Sequence, residues 1–133
     1  MYIKDVKYKD FAGNEQIDKV YCNYMESELI DIDFEKMGTI WASNDQIEFV
    51  RFMKNFVLDA YGIRSLDNKR FIKNEDQKLQ FAQSQAFSTL LIMIVSDEKE
   101  AQEFIKNVLP QEFYQRLLKI AENNGKDTKS IAG

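Results

Sequence analysis

The chain has 133 residues, of which 44% are hydrophobic, 13% aromatic and 30% charged, and its formal net charge is -4. That size suits one domain burying roughly two-thirds of its unfolded surface, and the apolar content excludes disordered, collagen-like and low-complexity classes. The negative charge argues against a nucleic-acid partner, since such proteins need clustered Lys and Arg to displace phosphate counterions, whereas Lys4, Lys7 and Lys9, and Lys69, Arg70 and Lys73, lie among or near acids.

Tyr2 to Tyr8 and Gln16 to Tyr24 show partial alternation with β-branched and aromatic residues, and between them Gly13-Asn14 can supply positive φ. This predicts a β-hairpin over about residues 2-24. The first residues carry Lys4, Asp5, Lys7 and Lys9 and no apolar core segment, so no signal peptide is expected. Cys22 is the single cysteine, which rules out an intrachain disulfide and suits a reducing compartment. Leu29, Ile30, Ile32 and Phe34 among acids suggest a short helix over about 27-36, with Gly38 as its stop.

Ser43-Asn44-Asp45-Gln46 has the form of a capping box, and Gly62 stands where a left-handed C-terminal cap belongs, which predicts a helix over 45-61. Phe49, Met53, Phe56 and Ala60 make its apolar stripe, Glu48, Arg51, Asn55 and Asp59 its wet face, and Phe52 falls beside the wet face. After a polar loop over 63-73, Asn74 with Gln77 opens a second long helix, 75-95, with the stripe Leu79, Ala82, Ala86, Leu90 and Met93. Asp97-Glu98-Lys99-Glu100 starts a helix over 98-109 that buries Ala101, Phe104, Ile105, Val108 and Leu109. Pro110 suits the first turn of a last helix, 111-122, whose apolar arc holds Phe113, Tyr114, Leu117, Leu118, Ile120 and Ala121. The polar residues 123-133 are expected to form a flexible tail. The expected fold is mainly α: a small helical bundle with a short N-terminal β-hairpin, in one domain over residues 1-122.

The chain contains no histidine, one cysteine and five scattered glycines, so zinc sites, phosphate-binding loops and the commonest general base are absent. No catalysis, cofactor or metal is expected. Asp31, Asp33 and Glu35 read either as hard-cation ligands or as a solvated acidic edge, and the edge is favoured because no second carboxylate cluster of matching spacing faces them. Cys22 reads as a packed thiol rather than a nucleophile, since no His exists to activate it. The longest strongly apolar run, Leu90 to Val95, is too short to span a bilayer, so no membrane insertion is expected. It is apolar all round, which makes it a central core helix or a segment covered by a partner, with the core favoured. The candidate partner-binding residues are Phe52, Leu58, Leu91, Ile92, Val95, Phe104, Phe113 and Leu117.

Phe56-Val57-Leu58-Asp59-Ala60-Tyr61-Gly62, with Ser65-Leu66-Asp67-Asn68-Lys69-Arg70-Phe71-Ile72-Lys73 after it, resembles the tail-assembly chaperones of siphophages infecting Gram-positive bacteria. The likeness continues through Ala86-Phe87-Ser88-Thr89-Leu90-Leu91 and Glu103-Phe104-Ile105-Lys106-Asn107-Val108-Leu109-Pro110, and includes the hairpin and Glu28-Leu29-Ile30. The resemblance implies a non-virion protein of the host bacterial cytoplasm that binds the tape measure protein. It would keep that long helical client soluble until tail-tube subunits polymerise around it. It further implies contact with the major tail tube protein and weak homo-oligomerisation. The competing reading is a small cytosolic helical adaptor or regulator that binds one folded protein partner.

Overall fold

The computed structural model describes residues 1–123. The chain begins with two strands, β1 (Tyr2–Lys9) and β2 (Glu15–Cys22), paired antiparallel from Tyr2 opposite Cys22 to Lys9 opposite Glu15. Gly13, at φ +85°, supplies the left-handed residue that the turn needs. A 3-10 turn at Glu26–Glu28 leads to α1 (Phe34–Ala42) and α2 (Gln46–Ala60). Two short strands follow, β3 (Tyr61–Arg64) and β4 (Phe71–Ile72), and then α3 (Glu75–Ala82), α4 (Gln85–Ser96), α5 (Glu98–Val108) and α6 (Gln111–Asn123). The tail expected over 123-133 has its first residue in α6; the rest lies outside the described residues.

The molecule is mostly helical, but its sheet is larger than a hairpin: four antiparallel strands in the order β1-β2-β3-β4. The segment expected to be a polar loop over 63-73 is itself a hairpin. Asn68 takes the left-handed φ of +61° that its turn requires, and the Ser65 amide donates to the Arg70 carbonyl at 2.9 Å. Gly62 is therefore no helix cap. It lies in β3 beneath the Phe71 ring, where a Cβ would come within 2.5 Å of that ring.

Five helices open on a side chain that takes up an orphan backbone amide. Asp33 accepts from the Lys36 amide, Asp45 from Glu48, Asn74 from Gln77, Ser84 from Phe87, and Asp97 from Lys99 and Glu100. Three expectations change accordingly. The helix expected over 27-36 is the 3-10 turn followed by α1, which Asp33 starts and which continues through Gly38. Asp45, not Ser43, caps α2; Ser43 instead accepts from the Asp45 amide at 3.4 Å. The long helix expected over 75-95 is two helices bent by 75°. Ser84 makes that corner: its hydroxyl donates to the Phe81 carbonyl that ends α3 and accepts from the Phe87 amide that starts α4.

The buried face of the hairpin, with Tyr2, Val6, Val20 and Cys22, packs against α4 and α5. Phe104 lies at the centre, wholly buried, with its ring edge-on to Tyr2 at 4.9 Å and to Phe56 at 6.1 Å. Met53, Val57, Leu90, Ile94, Ile105 and Leu117 are also fully buried in this core. Helix α6 lies against α1, where Phe34 stacks on Phe113 at 5.4 Å and Gly38 admits Ile120. Among the described residues no single helix is long and apolar enough to cross a membrane.

Candidate protein-binding groove

A groove of about 690 Å³ lies between α1, α2 and the start of α3. One wall comes from α1, whose Met37 and Ile40 turn inward with Lys36 beside them. The α2 wall carries Phe52 and Phe56 four residues apart, hence on one helix face, with Glu48, Arg51, Asn55 and Asp59 along its rim. Tyr24, Glu28, Ile32 and Lys73 close the groove below, and Asn74, Glu75 and Lys78 close its end.

An aromatic ladder holds the groove in shape. Phe52 stacks on Phe56 at 5.3 Å, and Phe56 stacks on Tyr24 at 4.8 Å. The Tyr24 hydroxyl donates to the Phe56 carbonyl at 2.6 Å, and burial pushes this phenol well above the usual tyrosine range. The Lys73 ammonium lies 4.6 Å from the Tyr24 ring centre while pairing with Glu28 at 2.6 Å. At the far end Lys78 pairs with Asp59 at 2.5 Å, tying α3 to α2, and that carboxylate raises the Lys78 pKa. The remaining charges of the lining, Asp33, Lys36, Glu48, Arg51 and Glu75, are exposed and of both signs.

This arrangement suits apolar side chains carried on a polar backbone. Among the described residues the one buried side-chain polar atom without a partner is Gln77 Oε1, outside the groove lining. Nor do the described residues include a group of three or more His, Cys, Asp or Glu able to hold a metal ion. Asp33 is occupied as the α1 cap. Cys22 is fully buried, with its thiol pushed up to about 12 by burial, so at neutral pH it is neither exposed nor ionised.

Of the eight candidate interface residues, the structure brings only Phe52 and Leu58 into the groove, Phe52 half-buried and Leu58 8% exposed. Leu91 and Val95 on α4 are half-buried, and Ile92 is 61% exposed. Phe104 and Leu117 are fully enclosed in the core and offer no surface, which corrects their assignment as contact residues. Phe113 is half-buried beneath α1. Met37, Ile40, Phe56, Tyr24 and Lys73 line the groove but are not among the candidate interface residues; the sequence places Phe56 in the core stripe and Lys73 in a solvated basic cluster. Phe52 carried a signal, since an aromatic placed between stripe and wet face marks a stripe wider than the core alone requires.

A family model described as phage tail assembly chaperone matches residues 1–131. No curated protein and no solved structure matches the chain.

Proposed function

The chain belongs to the phage tail assembly chaperone family, and from that premise we propose that it is a non-catalytic chaperone of the tape measure protein, acting in the host bacterial cytoplasm. The observation that carries this reading is the groove: an apolar, aromatic floor with a charged rim of both signs, built on three helices. An amphipathic helix of the client lays one or two turns of its apolar stripe on Phe52, Phe56, Met37 and Ile40, while its flanking charges meet Lys36, Arg51, Glu48 and Glu75. This is helix-in-groove recognition.

A short apolar floor gives modest affinity per site, which suits a protein that has to leave its client again. Many copies along one long client then protect it collectively, because bound neighbours raise the local concentration for the next. Release occurs as subunits of the major tail tube protein close around the same client helices and cover the stripe that the groove held.

Co-expression with the tape measure protein from the same phage tests the reading. The expected result is a soluble client that co-purifies with several copies of this chain, and whose solubility falls when Phe52 is replaced by Asp. A client that stays insoluble beside the wild-type chain, or that is soluble alone and never co-purifies, overturns it. A fixed one-to-one complex with a folded protein would instead indicate an adaptor.

A further inference from the structure

Residues 73–78 close one end of the groove, where Lys73, Asn74, Glu75 and Lys78 all line it. This segment joins the end of β4 to the first turn of α3, and its neighbours grip it weakly. Strand β4 pairs with β3 at two positions, Ile63 opposite Ile72 and Arg64 opposite Phe71. Of the eight residues of α3 only Phe81 is buried, and it lies near the far end of the helix, stacked on Tyr61 at 3.9 Å and edge-on to Phe87 at 5.3 Å. The apolar anchorage of α3 is therefore a pivot beside the Ser84 corner, and the first turn of the helix has no equivalent. Segments with so few buried apolar contacts are the ones that open locally.

Charge takes the place of a core there. Lys73 pairs with Glu28 of the 3-10 turn at 2.6 Å and lies over the Tyr24 ring, and Lys78 pairs with Asp59 of α2 at 2.5 Å. All four side chains keep contact with solvent, from 20% for Lys73 to 52% for Asp59, and ion pairs of that kind contribute little to stability and are screened by salt. Gln77, between the two lysines, buries a carbonyl oxygen that no partner satisfies, which weakens the closed position further.

We propose that residues 73–78 are a strap, fastened by these two ion pairs, that opens to let a client helix run on through the groove. The proposal rests on the groove reading above. In the closed form the floor seats one or two helical turns, and a helix continuing past it meets Asn74, Glu75 and Lys78. A long client has few helix ends and many helix middles, so the form that takes a middle is the one with the strap open. The ion pairs then set the cost of entry, because apparent affinity scales with the fraction of molecules in the competent form. A client helix that offers a carboxylate to Lys78 and a cation to Asp59 replaces the pair it breaks, and an uncharged helix does not. The strap thereby favours apolar stripes flanked by charges of both signs.

Hydrogen–deuterium exchange of the free full-length chain tests the strap without any client. The amides of α3 should exchange about tenfold or more faster than those of α2 and α5. Glu28→Gln and Asp59→Asn should each speed α3 by roughly a further threefold and leave α5 unchanged. Both substitutions keep the side-chain shape, and Glu28→Gln retains the oxygen that accepts from the Met25 amide. Glu100→Gln, which neutralises the partner of Lys4 outside the groove, is the control and should leave α3 exchange as it is. Exchange of α3 no faster than that of α5, or acceleration that spreads equally to α5, overturns the proposal. In co-expression with the tape measure protein, the double variant should recover roughly threefold more client than wild type, and equal or lower recovery overturns the role of the strap in entry. Recovery of client by neither chain overturns the groove reading, and the exchange pattern decides the strap independently.

Discussion

Tyr24 and Phe56 are joined twice, by rings stacked 4.8 Å apart at 28° and by a 2.6 Å hydrogen bond from the tyrosine hydroxyl to the phenylalanine carbonyl. The first contact fixes the floor of the groove, and the second fixes α2 to the chain leaving β2. Tyr24→Phe keeps the stack and removes one buried donor, so it should cost about 1 kcal/mol in urea unfolding with the slope unchanged. Tyr24→Ala removes both and should cost about 3–5 kcal/mol. Equal losses for the two would show that the hydroxyl, not the ring, dominates.

Gly38 gives the cleanest reversal of a propensity rule. Alanine is the better helix former by about 1 kcal/mol, yet a Cβ at this position would run into the Ile120 side chain, whose Cβ is 3.0 Å away. Gly38→Ala should therefore destabilise the protein by about 1–3 kcal/mol, and Ile120→Ala, which removes the still nearer Cγ2 while keeping Cβ, should reduce the cost of the same change. A double-mutant cycle by thermal or denaturant unfolding measures the coupling.

Phe52 and Phe104 separate binding from folding. Phe52 is half-buried at the groove, so Phe52→Ala should cost no more than about 1.5 kcal/mol in stability while sharply reducing co-purification of the client. Phe104 is enclosed at the centre of the core, so Phe104→Ala should cost about 3–5 kcal/mol and weaken binding only as far as it unfolds the chain. Melting curves read beside pull-downs distinguish the two patterns.

Cys22 predicts an alkaline loss of stability. Its thiol is raised from an ordinary value of 9.0 to about 12, chiefly by burial and against the opposing pull of Lys73. Below pH 9.0 the group is neutral in both states and its contribution is fully present. Between there and about 12 the unfolded chain sheds a proton that the folded chain keeps, so stability falls as pH rises. Cys22→Ala should remove its share of this decline in denaturant titrations, most visibly between pH 9.0 and 10.0, above which the buried phenols of Tyr2 and Tyr24, also raised by burial, add their own. In native protein at neutral pH, Cys22 should react with thiol reagents only as fast as the fold opens.

Much of the helical content was legible because its signals are local. Asn74 and Asp97 cap helices where their spacing predicts, and Met53, Phe56 and Ala60 are buried as the α2 stripe requires. The failures come from residues whose partners are distant in sequence. Gly38 resembled a stop because glycine usually is one, and only Ile120 explains why it sits inside a helix. The corner at Ser84 was hidden because Ala82 and Ala86 continue a four-residue period across it, although Ser84 is itself a good cap. The β3–β4 hairpin was masked by the polar turn at Asp67 and Asn68. The groove was only partly readable: Phe52 showed as an aromatic in excess, but Met37, Ile40 and Lys73 meet it only through the tertiary fold.

The packing of α1 on α6 has a temporal meaning. One wall of the groove is held in place by Phe34 against Phe113 and by Gly38 against Ile120, contacts with a helix translated after every other described element. A nascent chain halted before α6 would own every groove side chain and hold α1 only through its packing on α2, where Trp41 meets Phe49. On the chaperone reading proposed above, the groove takes its final shape late, only once synthesis has passed its last lining residue by more than thirty residues.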